Sequence, residues 1–266
     1  MGKWRPSYSR LAKRGKLSGV FLAQKANQVK SWTKSALFSP TWWALPINPA
    51  FLSRMFLWRS IAKAANSVHG ALLDVGCGVK PYRDVFTQVT QYCGLELDSA
   101  NNRQLKQADI YYDGHFFPLS DASFDAVLCN QVLEHVFNQE NFVAELRRVL
   151  RPGGILILTV PFLWPEHEQP NDCLRYTSFG LRNLLEQRGF CIEHQEKLTR
   201  GGGAICALWA DRINTLLRCT PLMIRILGRA CLITPISLVG WLLALVAAND
   251  SELYLDNFVI CRKPEA

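Results

Sequence analysis

The chain has 266 residues, 49% of them hydrophobic, with eight tryptophans and fourteen phenylalanines. This length and composition fit one sizeable core with appendages, or at most two small domains, and exclude a wholly disordered chain. The nine cysteines include no C-x-x-C pair. We therefore expect buried thiols in a reducing compartment, and no metal site, because no Cys/His cluster has ligand spacing.

The net charge of +8 is concentrated at the front of the chain. Residues 1–73 carry twelve lysines and arginines and no acid, whereas the other 193 residues carry 18 basic and 22 acidic groups. Aromatic side chains such as Trp4 and Trp32 interleave with these charges. The pattern over 1–48 is typical of an arm that contacts an anionic membrane surface. A nucleic-acid-binding arm, an organelle transit peptide and a solvated tail remain alternatives.

Strands and helices are predicted to alternate after this arm. The apolar spacing predicts a helix over 50–66, then strands near 71–75, 92–97, 108–112, 124–129 and 154–160, with helices near 81–89, 100–106 and 139–150. A helix over 182–189, a strand over 190–197 and a last strand over 253–262 follow. Continuous apolar strands between helices predict a parallel sheet that is covered on both faces.

Two of these predicted strands end in candidate ligand-binding residues. Asp74 ends an apolar run and is followed by Gly76 and Gly78, a tight turn that lets a nucleotide-like ligand approach the backbone. About 22 residues later, Glu96 and Asp98 end a second apolar run and are placed to accept hydrogen bonds from ribose hydroxyls. The alternatives are an ordinary packing turn for the glycines and a helix N-cap for Asp98.

Further motifs follow in a fixed order: Asp113-Gly114, the segment 123–130, Leu133-Glu134-His135, and Leu150-Arg151-Pro152-Gly153-Gly154 before an apolar strand. Over about residues 68 to 200 this series resembles the class I S-adenosylmethionine-dependent methyltransferases of the methyltransferase type 11 group. The resemblance implies a Rossmann-like seven-stranded, mostly parallel sheet with helices on both faces. It also implies S-adenosylmethionine as cofactor and a catalytic domain over 49–262.

The resemblance assigns the cofactor site residue by residue. It places Asp74 at the amino-acid end of the cofactor, Glu96 on the ribose, Asp113 on the adenine amino group and Asn130 beneath the sulfonium. The full expected set is Asp74, Gly76, Cys77, Gly78, Glu96, Leu97, Asp113, Gly114, Asn130 and Gln131. Lys80 stands where the family commonly has a third glycine, and the Pro81-Tyr82 that follows matches a known variant of the group.

The loop after the fifth predicted strand is the expected acceptor side. Ligands bind beyond the carboxyl ends of parallel strands, and this loop lies there. For a hydroxyl acceptor, His167 is the first candidate for a base, with Asp172 orienting it or replacing it. Candidate substrate contacts are Trp164, Arg175, Tyr176 and His135. The alternative is that Asp172 and Arg175 brace the loop, Tyr176 is a core residue and His135 is structural.

Residues 203–248 form an apolar insert before the last strand, and 230–248 carry no charge. Nineteen such residues are long enough to cross a membrane. The resemblance requires the last strand to pair in the same sheet as the others. A single membrane crossing would place this strand on the opposite side of the membrane from the rest of the sheet. We expect a re-entrant hairpin or an interfacial helix pair, with bends at Pro221, Pro235 and Gly240. Packing on the domain or on a second copy is the alternative.

These observations predict a methyltransferase that acts on a small, lipid-linked or amphipathic acceptor by O- or C-methylation. The expected location is cytoplasmic and peripheral to a membrane, with organelle targeting by the arm and the oligomeric state left open. One alternative is an RNA or protein methyltransferase that uses the arm. Amino-base methylation is disfavoured because Cys129-Asn130-Gln131-Val132 replaces an N-P-P-Y-type motif. Another alternative is a non-catalytic scaffold docked on a membrane.

Overall fold

The computed structural model describes residues 40–41, 44–46, 48–105, 107–246 and 252–265, so the predicted arm over 1–48 lies almost wholly outside the described residues. The described part contains one seven-stranded sheet. Its strands are β1 (Gly70–Val75), β2 (Val89–Leu97), β3 (Ile110–Tyr112), β4 (Phe124–Asn130), β5 (Leu150–Pro161), β6 (Cys191–Arg200) and β7 (Tyr254–Arg262).

The strand order is β3-β2-β1-β4-β5-β7-β6. Strands β1 to β5 pair in parallel, whereas β7 runs antiparallel to both β5 and β6. The predicted Rossmann-like, mostly parallel sheet is confirmed. The order reverses between β1 and β4, and the crevice beyond the carboxyl ends of these two strands is where such sheets bind ligands.

The helices cover both faces of this sheet. They are α1 (Phe51–Ala65), α2 (Ala100–Leu105), α3 (Gln139–Val149), α4 (Ser178–Gln187), α5 (Gly202–Leu217), α6 (Leu222–Gly228) and α7 (Thr234–Val246). Leu73 and Val75 face a core that includes side chains of α3 and α4, whereas Leu72 faces one that includes side chains of α1. Successive side chains of a strand point to opposite faces, so both faces of β1 must be apolar.

The helix predicted near 81–89 is wrong. The structure has a single 3₁₀ turn, Arg83–Val85, and β2 already begins at Val89. Tyr82 and Phe86 are buried against the α1 side of the sheet. Their four-residue spacing imitates a helical face, but here it comes from a loop that folds back over the core.

The apolar insert forms α5, α6 and α7, and a π-helical turn, Arg229–Ile233, joins α6 to α7. Small residues bring α5 and α7 together: a Cβ added to Gly203 would lie 2.7 Å from the Cβ of Ala244, and one added to Gly240 would lie 2.6 Å from the Cβ of Cys206. The helix α5 ends before Pro221, as expected for a bend, whereas the chain stays helical through Pro235 and Gly240.

Within the described residues, one helical run is long and apolar enough to cross a membrane by length and composition. It is Leu222–Val246, whose most apolar 18-residue window has a mean hydropathy of 1.9 and is 22% buried. Most of its large apolar side chains therefore face outward, whereas Ala204, Leu208 and Trp241 of the insert pack against α1.

Candidate functional site

A cavity of about 290 Å³ lies beyond the carboxyl ends of β1 and β4. Residues that follow β1 and β4 form one side of it, and the loop after β5 forms another, while α1 and β7 contribute the rest. From the sequence-predicted set, the lining includes Asp74, Gly76, Cys77, Gly78, Asn130, Gln131, His135, Trp164 and His167. The fold thus brings the expected cofactor turn and the expected acceptor loop to one cavity.

The turn after β1 needs its two glycines for different reasons. Gly76 has φ +69°, and a Cβ there would lie 2.3 Å from the side chain of Val132. Gly78 has φ +48°, and a Cβ there would meet nothing within 4 Å. Positive φ favours glycine at both positions, and the open space beside Gly78 leaves room for a ligand against the backbone.

Lys80, which replaces the third glycine, keeps the left-handed conformation with φ +54°. Its side chain passes over Gly94, and its Nζ binds a carboxylate oxygen of Asp109 at 2.6 Å. The lysine is therefore held by β2 and the chain before β3, and it does not line the cavity.

Asp74 is 3% exposed and accepts a hydrogen bond of 2.6 Å from the hydroxyl of Tyr92. Burial raises the pKa of Asp74 to about 7, and the Tyr92 hydrogen bond opposes that rise. The carboxyl therefore changes charge near neutral pH. Burial also raises the pKa of Cys77 to about 12, so this thiol lines the cavity as an uncharged group.

Glu96 lies at the end of β2, beside the glycine turn, and is partly buried. Its carboxylate accepts hydrogen bonds from the backbone N–H of Gly78 at 2.9 Å and of Leu97 at 3.1 Å, and from the side chain of Asn102 at 3.2 Å. These donors fix the carboxylate at the rim of the turn. Such an oriented carboxylate is what the two hydroxyls of a ribose require.

Asp113 and Gly114 follow β3, the next strand along the same edge of the sheet. Asp113 is exposed and accepts hydrogen bonds from the backbone N–H groups of His115 and Phe116. These hydrogen bonds hold its pKa below the usual value. A Cβ on Gly114 would lie 3.2 Å from Leu97, which is 42% exposed. These groups lie outside the cavity, at the open surface next to Glu96.

Asn130 and Gln131 end β4 and are held by β5. The hydroxyl of Thr159 donates to the side-chain oxygen of Asn130 at 2.8 Å, and the N–H of Gln131 donates to the carbonyl of Thr159 at 3.1 Å. Gln131 has φ +56°. Both residues border the cavity between the glycine turn and the loop after β5.

That loop, residues 162–177, is braced from within. Arg175 binds both carboxylate oxygens of Asp172 at 2.6 Å and also donates to the carbonyl of Trp164. The guanidinium holds the pKa of Asp172 far below its usual range. Tyr176 packs against the main core. Arg175 and Tyr176, expected as substrate contacts, do not line the cavity, and their contacts match the bracing alternative.

His167 and Asp172 are in contact, as the sequence predicted. The backbone N–H of His167 donates to Asp172 at 2.9 Å, and its ring Nδ1 lies 3.2 Å from the same carboxylate oxygen. Because Asp172 stays ionised at neutral pH, it orients the imidazole and is a poor proton acceptor itself.

The loop also docks on the 3₁₀ turn Leu133–His135. The backbone N–H groups of Cys173 and Leu174 donate to the carbonyl of Glu134. The ring centroids of His135 and His167 are 5.0 Å apart. Glu134 is fully buried, and burial raises its pKa to about 8. The sequence predicted no such cluster, because 32 residues separate the two histidines and only the fold brings them together.

The lining residues missed in the sequence analysis include Ser53 and Arg54 of α1, and Asp256 of β7. The hydroxyl of Ser53 donates to Asp256 at 3.0 Å, and burial raises the pKa of Asp256 to about 7. The available signal was an acid inside the largely apolar run 254–260, which is typical of a buried strand, where a carboxyl is costly unless it is paired.

Comparisons with known proteins identify a methyltransferase domain in the chain. Residues 73–158 match the family model described as a methyltransferase domain. A probable S-adenosylmethionine-dependent methyltransferase of Mycolicibacterium smegmatis is 32% identical over 144 residues, covering 50% of this chain and 56% of that protein. A sterol 24-C-methyltransferase of Yarrowia lipolytica is 28% identical over 159 residues, covering 48% of this chain and 41% of that protein. The chain thus spans about half the length of these relatives.

Among solved structures, the [4+2]-cyclase SpnF is similar in fold, with a TM-score of 0.53 and 23% identity over 79% of this chain and 81% of that one. The residues present also fit S-adenosylmethionine, since open backbone at Gly78 lies beside an oriented carboxylate at Glu96. Residues 73–158 of the chain therefore match the type 11 methyltransferase domain, and the motif order and the fold agree with this family, whose cofactor is S-adenosylmethionine.

Proposed function

We propose that the chain transfers the methyl group of S-adenosylmethionine to an oxygen or carbon atom of a small, amphipathic or lipid-linked acceptor at a membrane surface. One observation carries this proposal: a single cavity is lined both by the glycine turn Gly76–Gly78 and by the acceptor-loop residues Trp164 and His167. When bound, the cofactor supplies a methyl group on a positively charged sulfur, which is already an activated leaving group.

The chain's own residues then have to hold the cofactor and align it with the acceptor. Glu96 would accept from the ribose hydroxyls, and the backbone at Gly78 would lie against the cofactor's amino-acid end. Asp74, ionised above about pH 7, would favour the positive charge of that end. Alignment of two bound reactants can supply about 7–11 kcal/mol of a reaction barrier, so positioning is the largest contribution required.

On the acceptor side, His167 would act on the reacting oxygen, with Asp172 fixing the orientation of its ring. As a general base it would contribute roughly 100- to 10,000-fold in rate. Trp164 would cover the acceptor and exclude water. Arg175 would act indirectly, because its donors are occupied by Asp172 and by backbone carbonyls of the loop.

The membrane part of the proposal rests on the insert. Its exposed large apolar residues are Ile205, Trp209, Leu216, Leu222, Met223, Ile224, Ile226, Leu227, Leu232, Leu238, Val239, Leu242, Leu243, Leu245 and Val246. Contiguous apolar surface of this kind is typical of a membrane or protein contact. The insert carries four arginines and one aspartate between residues 203 and 246, a balance that suits anionic lipid. The sterol methyltransferase among the relatives also has an amphipathic substrate by its name.

A labelling experiment tests the acceptor class. The full chain is incubated with methyl-labelled S-adenosylmethionine and a cell extract, which is then separated into lipid, RNA and protein fractions. We expect label in the lipid fraction, and a loss of about 100-fold or more with His167→Ala. Label in RNA or protein instead would support the arm-based alternative. Absence of both cofactor binding and label would support the scaffold.

A further inference from the structure

We propose that Glu134, His135 and His167 form a binding site for a divalent transition-metal ion, whose open coordination position takes the reacting oxygen of the acceptor. This inference rests on the proposed function and specifies how the acceptor is held. It replaces the base role of His167 with a ligand role. Its first part, metal binding, is testable without any methyl transfer.

The three side chains converge from two separate segments. One carboxylate oxygen of Glu134 and one ring nitrogen of each histidine all lie within 4.8 Å of one another, and the Nε2 of His135 is 3.8 Å from Glu134. Ligand atoms about 2.0–2.2 Å from one ion lie about 3–4 Å from each other. Small side-chain rotations would therefore close the site around an ion.

Glu134 is the strongest reason to look for a cation here. Its side chain is 0% exposed, and apart from an approach by its own backbone N–H, neither carboxylate oxygen has a hydrogen-bond partner among the residues that the structure describes. A buried carboxylate without partners is costly, and in proteins such groups are paired, protonated or bound to metal. A cation between Glu134 and the two imidazoles would remove this cost.

The hydrogen bonds of both imidazoles leave Nε2 free to ligate. The Nδ1 of His135 faces the carbonyl oxygen of Asn171 at 3.1 Å. The Nδ1 of His167 faces a carboxylate oxygen of Asp172 at 3.2 Å and the carbonyl of Pro165 at 3.3 Å. These partners only accept, so Nδ1 carries the proton in each ring. Metal-binding histidines use this same arrangement, in which the outer nitrogen donates to a carboxylate or a carbonyl.

The donor set also indicates the class of metal. Two imidazoles and one carboxylate suit Zn²⁺, Fe²⁺, Co²⁺ or Mn²⁺, whereas Mg²⁺ and Ca²⁺ prefer oxygen ligands. Three protein ligands leave a position for an exogenous oxygen. Asp172 lies next to the site beside His167, and Glu168 lies next to it beside His135, with its Oε2 3.9 Å from the Nε2 of His135 and its side chain 75% exposed.

The site lies where an acceptor has to be. His135, His167 and Glu168 line the same cavity as Gly76 and Asn130, which border the cofactor side. An oxygen bound to a divalent ion loses its proton more readily, and it is held in place at the same time. The proton released from the acceptor oxygen would pass to solvent, the oxygen's electron pair would form the new bond to the methyl carbon, and the pair of the broken carbon–sulfur bond would stay on sulfur.

The experiment titrates the purified full chain with Co²⁺, whose visible d–d bands report its ligands, and repeats the titration with Zn²⁺ as competitor. We expect one equivalent of Co²⁺ with nitrogen and oxygen ligands, displaced by Zn²⁺. This signal should be lost in His135→Ala and His167→Ala. It should survive in His194→Ala, which removes a histidine from an exposed His–Glu pair on β6. Glu134→Gln keeps the buried shape and should also lose the signal, with the melting temperature confirming that each variant folds.

Calorimetry with S-adenosylmethionine on the same samples separates the two proposals. Cofactor binding without Co²⁺ binding would overturn the metal site and leave the proposed function standing. Co²⁺ bands that persist in both histidine variants would also overturn it. So would a thiolate-to-cobalt charge-transfer band, since Cys191, Cys219 and Cys231 are exposed alternatives.

Discussion

Asp74 and Glu96 end neighbouring strands, but they differ in burial, and burial decides the role of each. Glu96 sits at the rim with three donors around it, whereas Asp74 lies beneath the turn with one donor, Tyr92. The deep carboxyl has its pKa raised to about 7 by desolvation. Its charge, and with it the attraction for a cationic ligand, should change over the physiological pH range.

The first prediction concerns this titration. Affinity for S-adenosylmethionine should rise as the pH increases through about 7, because Asp74 loses its proton and then favours the cationic cofactor. Tyr92→Phe removes the hydrogen bond that favours the ionised form of Asp74. The rise in affinity for S-adenosylmethionine (the rising limb of the plot of affinity against pH) should therefore move to higher pH. Calorimetric titrations between pH 6 and 8 measure this shift.

Asp74→Asn is the matching control and should abolish the rising limb. Asp256 also lines the cavity with its pKa raised to about 7. If the rise in affinity with pH persists in Asp74→Asn and disappears in Asp256→Asn, then Asp256 is the group that titrates. This result would contradict our assignment of the titration to Asp74.

The second prediction concerns Glu96. Glu96→Ala removes the proposed acceptor of the ribose hydroxyls, and hydrogen bonds to a charged group are worth about 1.5–3 kcal/mol. The dissociation constant for S-adenosylmethionine should rise by about 10- to 150-fold. Asp98→Asn is the control, because Asp98 is two residues away and already paired with Arg103. A larger loss in Asp98→Asn than in Glu96→Ala would contradict the assignment.

Sequence motifs located most of the residues at this scale, because local order along the chain encodes the turn and the strand ends. Asp74, Gly76, Asn130 and His167 are identified by position relative to a predicted strand, and all four line the cavity. Asp256 was missed in the sequence analysis, because its contact with Ser53 joins residues that are 203 positions apart. No local pattern reports such a pairing.

Among the elements, the loop after β5 owes its shape to one ion pair. The side chain of Asp172 is almost fully buried, and Arg175 binds both this carboxylate and the carbonyl of Trp164. These contacts fix the part of the loop that carries His167. The pattern of charged residues in 161–177 predicted a functional loop, and it left open whether Arg175 binds substrate or braces the loop. Only the three-dimensional contacts of its guanidinium distinguish these roles.

The third prediction tests this brace. Arg175→Met should speed hydrogen exchange of the loop amides by about 10- to 100-fold, since charge-assisted hydrogen bonds of about 1.5–3 kcal/mol are lost. Acceptor turnover should fall, while the dissociation constant for S-adenosylmethionine stays within about twofold of wild type. Mass spectrometry of exchanged peptides measures the first effect.

Arg182→Met provides the control, because Arg182 forms an exposed pair with Glu186 on α4, and such pairs contribute little. Unchanged exchange of the loop in Arg175→Met would show that the brace is unnecessary. A matching loss of cofactor affinity would show that Arg175 acts outside the acceptor loop.

The insert shows where helix prediction succeeded and failed. Apolar composition predicted helices over 203–248, and the structure has them. The same spacing argument produced a false helix near 81–89, because buried loop residues can repeat every four positions. Apolar residues that recur every three or four positions indicate buried side chains. They indicate a helix only where the backbone is free to form one.

The fourth prediction concerns the outward face of α7. Leu242→Glu together with Leu245→Glu should abolish flotation of the full chain with anionic lipid vesicles, since burying such side chains in an apolar phase contributes roughly 1.5–3 kcal/mol each. Both residues are about half exposed, so the fold should tolerate the change. The unfolding temperature serves as the check.

Phe179→Glu replaces an equally apolar residue of α4 that is 79% exposed, and it should leave flotation unchanged. If wild-type protein stays in the soluble fraction with anionic vesicles, membrane contact through the insert is wrong. Self-association that disappears in the double variant would instead identify a second copy as the partner of this face.

For the whole molecule, the sheet order explains why residues from distant segments meet. The strand order reverses between the parallel strands β1 and β4, so the loops after both strands open into one crevice, and the antiparallel β7 brings Asp256 to the same place. The alternation of apolar strands and helices is enough to predict a parallel sheet with both faces covered. The seven strands and the mostly parallel arrangement were implied by the family resemblance, and the strand order was not predicted. The alternation does not specify the acceptor, which depends on side chains of the loop and the insert.

The most direct test of the account is a crystal structure of the chain with S-adenosylhomocysteine. We predict the ribose hydroxyls on Glu96, the amino-acid end against the backbone of Gly76–Gly78, and the sulfur directed into the cavity toward His135 and His167. An adenosyl group bound elsewhere, or a sulfur directed away from these histidines, would contradict the central claim that one cavity joins donor and acceptor.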